Sequence, residues 1–311
     1  MKTKIKIIFL SGGSLVGRNL LDVLSGRRED LELIAFNSIA SEPSLFEFDR
    51  VYISPALVED ADLYRAFFLE KVQKEKPNFI IPCRDEDVAF LAKIKSEKLL
   101  DEIPALTGSY KIASAFLDKW KSFEFSVLHN LPFAKTISSD SSEDDLNQFL
   151  KEVSLPLIAK PKNGFASKGV ILIYSNEQLS ILRGRKDYIF QEYLGDPGKI
   201  HEYLDQVQTF GIPLFHSFEE LKLSCQAMIG PKGDLGGFLV TEHLMKQGVS
   251  AKVSICKDEK VIGLAKEWVE KIILAGWVGP INIQFQKKIT GEFLIYEYNG
   301  RFTGATSADI T

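Results

Sequence analysis

"EFLIYEYNGRFTG", residues 292–304, is the stretch from which the rest of the chain is best read. Successive side chains of a strand face opposite sides, so Phe293, Ile295, Glu297, Asn299 and Arg301 are expected on one face. That face is apolar at first and then carries a carboxylate, an amide and a guanidinium in order. The preceding run "GPINIQF", 279–285, is expected to pair with it as a hairpin turning at Thr290 and Gly291, with Asn282 and Gln284 beside the polar end. Oxygen ligands on neighbouring strands suit magnesium, which takes few protein ligands and completes its octahedron with water and phosphate oxygens. Arg301 would then stand where a metal-bound phosphate is. The same pattern also fits a buried ion pair or a strand end emerging into solvent, and pattern alone leaves these open.

Three upstream stretches bear on that choice. "LIAKPKNGFASKGVILI", 157–173, places Lys160 at the end of an apolar strand, then a turn with Gly164, Ser167 and Gly169, then another strand. A glycine-bearing hairpin can fold backbone N–H groups over phosphates while a lysine neutralises their charge. It is no P-loop, since G-x-x-x-x-G-K-[ST] is absent; a solvated hairpin is the plain alternative. "LDKW", 117–120, sets Lys119 on a helix, where by itself a lysine is a surface charge. "YIFQEYL", 188–194, is a β-run ending in Gln191, Glu192, Tyr193 and Leu194, which can present backbone groups to a purine edge or simply leave a sheet.

The N-terminal segment "KIIFLSGGSLVGRNLLDVL", 6–24, reads as strand, glycine turn and helix, and raises the question of a dinucleotide site. Such a site needs G-x-G-x-x-G and an acidic residue ending the second strand. Here Gly12 and Gly17 fit the ends, but Ser14 holds the middle and "LELIAF" runs into Asn37. A tight turn into a helix at the start of an open α/β sheet explains the glycines without a cofactor.

Strands alternating with helices continue to about residue 105, implying parallel pairing and a Rossmann-like unit. Asp85, Glu86 and Asp87 open its last helix, where carboxylates favour the positive end of the dipole; a substrate contact there stays open. Two helices follow over 109–129, then a small α+β unit with an antiparallel sheet. The strand-rich remainder includes a hairpin in "KLSCQAMIGPKGDLGGFLVTEHL", 222–244, turning at Gly230–Asp234, and a helix near 258–275.

Bulk composition bounds the function. The chain has 311 residues, 45% hydrophobic, enough for two or three packed units. With 38 Lys and Arg against 42 Asp and Glu and no long block of one sign, nucleic-acid binding as a main role is disfavoured. Cys83, Cys225 and Cys256 lie outside any C-x-x-C spacing, so each reads as a small buried hydrophobe, not a zinc ligand or a disulfide half. The opening apolar run is too short for a secretory signal, and none approaches a membrane span. A soluble, reduced, cytoplasmic protein without a membrane partner is the expectation.

Taken in this order, the "DKW" lysine, "AKP" before a glycine loop, the "QEYL" hinge and the "NIQF" to "EYNGRF" hairpin resemble the ATP-grasp superfamily, most closely the branch of the carbamoyl phosphate synthase large subunit. The resemblance covers nearly the whole chain. It implies an α/β and α+β chain: a Rossmann-like pre-ATP-grasp domain over 1–105, a small ATP-grasp lobe with the phosphate loop over 106–190, and a C-terminal lobe with the metal site over 191–311. It implies ATP with magnesium, or manganese in its place. Lys119 and Lys160 would contact the nucleotide, and the loop Asn163, Gly164, Ser167, Lys168 and Gly169 would close over the triphosphate. Gln191, Glu192, Tyr193 and Leu194 would form the hinge, with Glu192 and Leu194 meeting adenine chiefly through backbone groups. Gln284, Glu297 and Asn299 match the metal positions, and Arg301 the arginine that steadies the transferred phosphoryl. The implied activity is a carboxylate-amine ligase acting through an acyl phosphate on small-molecule acid and amine substrates; a homodimer is compatible with it.

Departures from the family pattern define the alternatives. Gln284 replaces a common glutamate, Gly300 stands where proline is usual and would loosen the turn before Arg301, and His243 stands in for a basic residue. The ribose glutamate has only Glu219 and Glu220 as candidates, after what reads as an insertion over 195–224. The chain ends at "GATSADIT", as either a short or an incomplete member. The rival readings are a nucleotide-binding protein without turnover and a nicotinamide oxidoreductase using the first glycine turn.

Overall fold

The structure, a computed structural model, describes residues 4–100, 103–164, 168–212, 220–246 and 249–304. Among these, the first 100 form a four-stranded parallel sheet of β1 (Ile5–Leu10), β2 (Leu31–Asn37), β3 (Arg50–Ile53) and β4 (Phe79–Pro82), in the order β3-β2-β1-β4. Its helices are α1 (Leu15–Leu24), α2 (Ala61–Glu75) and α3 (Asp85–Ser96). Ile8 and Leu10 pack with Phe68 and Leu91 on one face, while Phe9 packs with Leu20 and Leu21 on the other. Burial on both faces is why β1 and β2 carry continuous apolar runs, Ile7–Leu10 and Leu33–Phe36, and do not alternate.

The glycine turn after β1 is internally occupied. The Gly13 N–H donates to Asn37 Oδ1 at 3.0 Å, and Asn37 Nδ2 donates to the Ile39 carbonyl at 2.7 Å. A Cβ on Gly17 would lie 2.0 Å from the Gly12 carbonyl oxygen, so that glycine serves close helix–strand packing. Asn37 thus takes the N–H that a pyrophosphate would need, from the very position where a dinucleotide fold carries its acidic residue.

The second sheet is antiparallel: β5 (Thr136–Ser138), β6 (Leu157–Pro161), β7 (Ile171–Ile173) and β8 (Tyr188–Glu192), in the order β5-β8-β6-β7. Helices α6 (Glu143–Glu152) and α7 (Asn176–Leu182) cover one face through Leu146, Phe149, Leu179 and Leu182. Leu157, Ala159, Tyr188 and Phe190 point into that core, so Lys160 and Gln191 project from the uncovered face.

The third sheet is also antiparallel: β9 (Glu220–Ile229), β10 (Leu235–Lys246), β11 (Val249–Ile255), β12 (Gly279–Lys287) and β13 (Phe293–Asn299), in the order β11-β10-β9-β12-β13. Helix α9 (Glu259–Leu274) packs beneath it with Val261, Ala265, Trp268, Val269 and Ile272. Helices α4 (Tyr110–Leu117) and α5 (Lys119–Leu128), which the sequence groups with the middle unit, bury Ile112, Phe116 and Phe125 in this same core. Helix α8 (Pro197–Phe210) occupies the stretch read as an insertion. Cys83, Cys225 and Cys256 are free and buried, as expected. No helix of the described residues is long and apolar enough to cross a membrane.

Gly300 has a packing reason. A Cβ there would meet the Trp277 ring at 2.7 Å, and one on Gly108 would meet it at 2.4 Å, so the buried indole lies between two glycines. The turn before Arg301 is therefore packed tightly, against the expectation that glycine in place of proline loosens it. Gly300→Ala is expected to destabilise by about 1–3 kcal/mol through overpacking. Gly263→Ala, on α9 with nothing within 4 Å of the new Cβ, is expected to stabilise by about 0.5–1 kcal/mol from helix propensity. Urea midpoints of the two variants moving in the same direction would contradict this account.

Candidate active site

The uncovered faces of the second and third sheets enclose a cleft of about 610 Å³ lined by Lys119, Lys160, Lys168, Lys222, Gln284 and Glu297, among others. Its floor follows from strand register. Leu223, Cys225, Ala227 and Ile229 of β9 enter the core, so Lys222, Ser224, Gln226 and Met228 face the cleft. Cross-strand pairing then lays down successive rows: His243 with Lys222; Thr241, Ser224, Gln284 and Glu297; Leu239, Gln226, Asn282 and Asn299; and Gly237, Met228 and Pro280. Arg301 follows β13 after Gly300.

One irregularity sets the chemistry. Gln284 pairs with Glu297 but Phe285 pairs with Ile295, a bulge that leaves Tyr296 as the extra residue. Ile295 and Tyr298 are both in the core, and Tyr296 and Glu297 both line the cleft. Strict alternation, which placed Phe293 and Ile295 on the face of Glu297, is therefore broken: the bulge moves the carboxylate across the sheet from the apolar residues before it. Glu297 and Asn299 remain on the cleft face beside Gln284 and Asn282. The Glu297 carboxylate makes no hydrogen bond or ion pair with the described residues, although it is only partly exposed.

Opposite this floor stands Lys160. It is 9% exposed, and its ammonium donates to Gln191 Oε1 at 2.6 Å. Gln191 Nε2 donates to Thr136 Oγ1 at 3.0 Å, which donates to the Ala134 carbonyl at 2.8 Å. This buried chain fixes the lysine while leaving its charge toward the floor, 5.0 Å from the Tyr296 ring centroid. Burial pulls its ammonium down to about 7; Glu297 opposes that fall, and Lys222 and Lys119 add to it. Gln191 thus uses its amide to hold the lysine.

Lys119 is placed by capping. Asp118 accepts from the Trp120 and Lys121 N–H groups at 2.8 and 3.1 Å, starting α5 at Lys119. The Lys119 ammonium donates to the Gly164 carbonyl at 3.1 Å, and Tyr188 Oη donates to that of Gly169 at 3.1 Å. Both ends of the glycine loop are thereby fastened; Asn163, Gly164, Lys168 and Gly169 are exposed, and Ser167 lies outside the described residues.

The hinge borders a second cavity, of about 690 Å³, lined by Tyr193, Leu194, Glu220, Leu223, Gln286 and Lys288, among others. Leu223 lines both cavities, so they adjoin. Tyr193 Oη donates to Glu220 Oε1 at 2.5 Å. The Glu192 N–H is committed to the Lys135 carbonyl at 2.8 Å and its side chain to an ion pair with Lys288, while Tyr193 and Leu194 beyond it line this cavity. Glu219 lies outside the described residues.

Arg301 is held from the first unit. Its guanidinium donates to Asp85 Oδ2 at 2.8 Å, Asn299 Oδ1 at 3.2 Å and the Phe302 carbonyl at 3.1 Å, while its buried Nε–H has no partner among the described residues. Asp85 therefore meets an arginine, while Asp87, 2% exposed, closes the cap of α3 by accepting from the Arg84 N–H at 3.0 Å. Asn299 also donates to Asn282 Oδ1 at 3.4 Å. For a divalent ion the free Glu297 carboxylate and the Gln284 amide are suitable donors, with Asn299 already engaged. The described residues hold no group of three His, Cys, Asp or Glu, and magnesium, which keeps water and phosphate ligands, requires none.

Two cleft residues escaped the sequence reading. Lys222 sits 5.5 Å from the Tyr296 ring centroid, which Lys160 also approaches, and 3.6 Å from Glu220. It supplies the cation in the row where His243 was expected to serve. His243 is bonded to Thr241 and Ser250, and burial lowers its basicity, so it is neutral near pH 7. Tyr296 was missed because only the bulge turns it inward.

No protein-family model matches the chain, and no curated protein matches it. Solved structures do. N5-carboxyaminoimidazole synthetase from Staphylococcus aureus, complexed with ADP, superposes with a TM-score of 0.73 at 16% identity, over 99% of this chain and 73% of that one. L-amino acid ligase from Bacillus licheniformis gives 0.65 at 13%, over 99% and 70%. The biotin carboxylase domain of Hydrogenobacter thermophilus 2-oxoglutarate carboxylase, in complex with MgADP, ADP and bicarbonate, gives 0.64 at 13%, over 97% and 65%.

Proposed function

We propose that this chain, which has the ATP-grasp fold, is an ATP-dependent carboxylate-amine ligase working through an acyl phosphate. The observation that carries the reading is Glu297: a carboxylate with no hydrogen bond or ion pair among the described residues, paired with Gln284 across the strands, facing a cleft into which Lys119, Lys160 and Lys222 converge. Such a concentration of cations around one carboxylate suits a polyphosphate with a divalent ion. That structures of the same fold hold ADP or MgADP supports a nucleotide as the ligand.

In this reading residues 1–105 form the substrate-side unit, and the two antiparallel sheets clasp the nucleotide as lobes within 106–190 and 191–311, with α4 and α5 packed on the second lobe and β8 reaching Glu192. Adenine enters the hinge cavity beside Tyr193 and Leu194, and the phosphates run along Lys160, Lys222 and Lys119 toward the loop 163–169. Glu297 and Gln284 would hold magnesium, with Asn299 behind them. When bound, the ion neutralises charge on the terminal phosphate oxygens. The substrate carboxylate attacks the γ-phosphorus, the bond to ADP breaks, and an acyl phosphate forms. Arg301, its guanidinium held in aim by Asp85, would face the transferred phosphoryl oxygens. An amine then attacks the acyl carbon, the C–O bond breaks, phosphate leaves with the electron pair, and the amine loses a proton. The protein's own work is positioning and charge compensation, which is what phosphoryl transfer chiefly asks of it.

The test supplies MgATP and a panel of carboxylic acids with hydroxylamine, which converts any acyl phosphate to a hydroxamate whatever the natural amine is. Acid-dependent ADP and hydroxamate in equal amounts are expected. MgADP protection against thermal unfolding without turnover would support a nucleotide-binding protein instead, a reading favoured by the Arg301–Asp85 ion pair. Protection by NADH with none by MgADP would overturn both.

A further inference from the structure

The cleft floor continues past the amide row into a cavity of about 230 Å³ that shares no described lining residue with the cleft of Lys160 and Glu297. Met228, Leu239, Pro280 and Phe302 line it with Gln226, and Arg301 is the one charged residue among its described lining residues. Resting on the ligase reading above, we propose that this cavity is the side-chain subsite for the acid that is activated, and that the acid is a monocarboxylate with an apolar side chain of amino-acid size.

The register carries the argument. Rows along an antiparallel strand face are about 7 Å apart, so the apolar row of Gly237, Met228 and Pro280 lies about 14 Å from the row of Gln284 and Glu297. Between them lie Gln226, Asn282 and Asn299, with Arg301 at the side. A carboxylate over that amide row has its oxygens toward the phosphate end, within the field of Arg301, and its tail over methionine, proline and phenylalanine. Polarity thus falls in one direction along the floor, from lysines through the metal-type donors and amides to hydrocarbon. Among the described lining residues a second acidic group on the tail would meet no cation but Arg301, which is already paired with Asp85, and would be desolvated at a cost. A ribonucleotide would need cations for its phosphate and more room, since pockets for drug-sized ligands run to roughly 300–1,000 Å³.

Gly237 sets the depth. It faces the cleft opposite Met228, and an added Cβ would meet nothing closer than Met228 Cβ at 4.0 Å, so a larger residue there projects into open space above the floor. The experiment titrates acetate, L-alanine, L-leucine and L-phenylalanine into the full chain by calorimetry, with and without MgADP, and measures hydroxamate formation from the same acids. Leucine is expected to exceed acetate at least tenfold in affinity or kcat/KM, since each methylene in an apolar pocket counts for about tenfold or more. Gly237→Val is expected to lower the leucine-to-alanine ratio at least tenfold, and Met228→Ala to raise the phenylalanine-to-leucine ratio. The proposal is overturned if tail length has no effect on the wild-type chain, or if both variants fold and leave these ratios unchanged. MgADP binding with no preference for apolar tails sinks the subsite and leaves the ligase reading standing. Tail-dependent acid binding in a chain that ignores MgADP does the reverse.

Discussion

Replacing Glu297 with alanine is expected to abolish magnesium-dependent ADP formation, a loss of at least about 100-fold in kcat, comparable to removing a single transition-state electrostatic contact. The apoprotein should lose almost nothing. The carboxylate makes no hydrogen bond or ion pair with the described residues, and such substitutions typically stay within about 0.5 kcal/mol. Unchanged thermal stability with lost MgADP protection separates a ligand-holding residue from a structural one. The companion change Gln284→Glu sharpens the point. Gln284 and Glu297 are directly opposed across the strands, so two carboxylates repel in the absence of metal and destabilise by about 0.2–1 kcal/mol. With magnesium present the same pair should bind the ion more tightly, and half-maximal protection should move to lower metal concentration. Equal effects with and without magnesium would mean that these residues hold no ion.

How much of this was legible in the sequence depended on how local the physics was. The parallel sheet and its helices were written in apolar runs and glycine turns, because each element there is dictated by its own residues and immediate neighbours. Lys119 and Lys160 were identified by the motifs around them, and both line the cleft. The bulge at Tyr296 was not legible. Period-2 counting assumes an unbroken ladder, and the sequence "IYEY" carries no glycine or proline to mark an inserted residue. Lys222 was passed over because a lysine in a strand ordinarily means a solvated face; only the register opposite His243 places it in the cleft. The Arg301–Asp85 contact joins residues 216 positions apart, a distance no local pattern encodes. Helix α8 was hidden inside a stretch for which the family pattern offered no counterpart. The finer likeness to the carbamoyl phosphate synthase branch rests on the sequence motifs alone.

Lys160 should give two pH dependences of opposite sign. Its native pKa, about 7, lies below the roughly 10.4 of an unfolded lysine because burial disfavours the charged form. Between those values the unfolded chain holds more protons than the native one, so linkage makes the lysine's contribution to stability rise with pH through that window. Below about pH 7 both states are protonated and the contribution is flat. Nucleotide binding runs the other way. The phosphate complex requires the ammonium, so above pH 7 the free protein must take up a proton on binding, and MgADP affinity should fall by up to about tenfold per pH unit. Apoprotein unfolding followed between pH 6 and 9 without magnesium, beside MgADP affinity over the same range, checks both slopes. Lys160→Met should flatten the two together and weaken nucleotide binding by about 2 kcal/mol or more, at least a ~30-fold change, as expected for removing one partner of a buried charge pair. The Gln191–Thr136 bond is the structural control: Thr136→Val disturbs the support of the lysine while leaving the charge in place, and should shift the midpoint of the affinity profile without removing its slope. An affinity that rose with pH in parallel with stability, or that kept its slope in Lys160→Met, would place the phosphate-binding charge elsewhere than on this lysine.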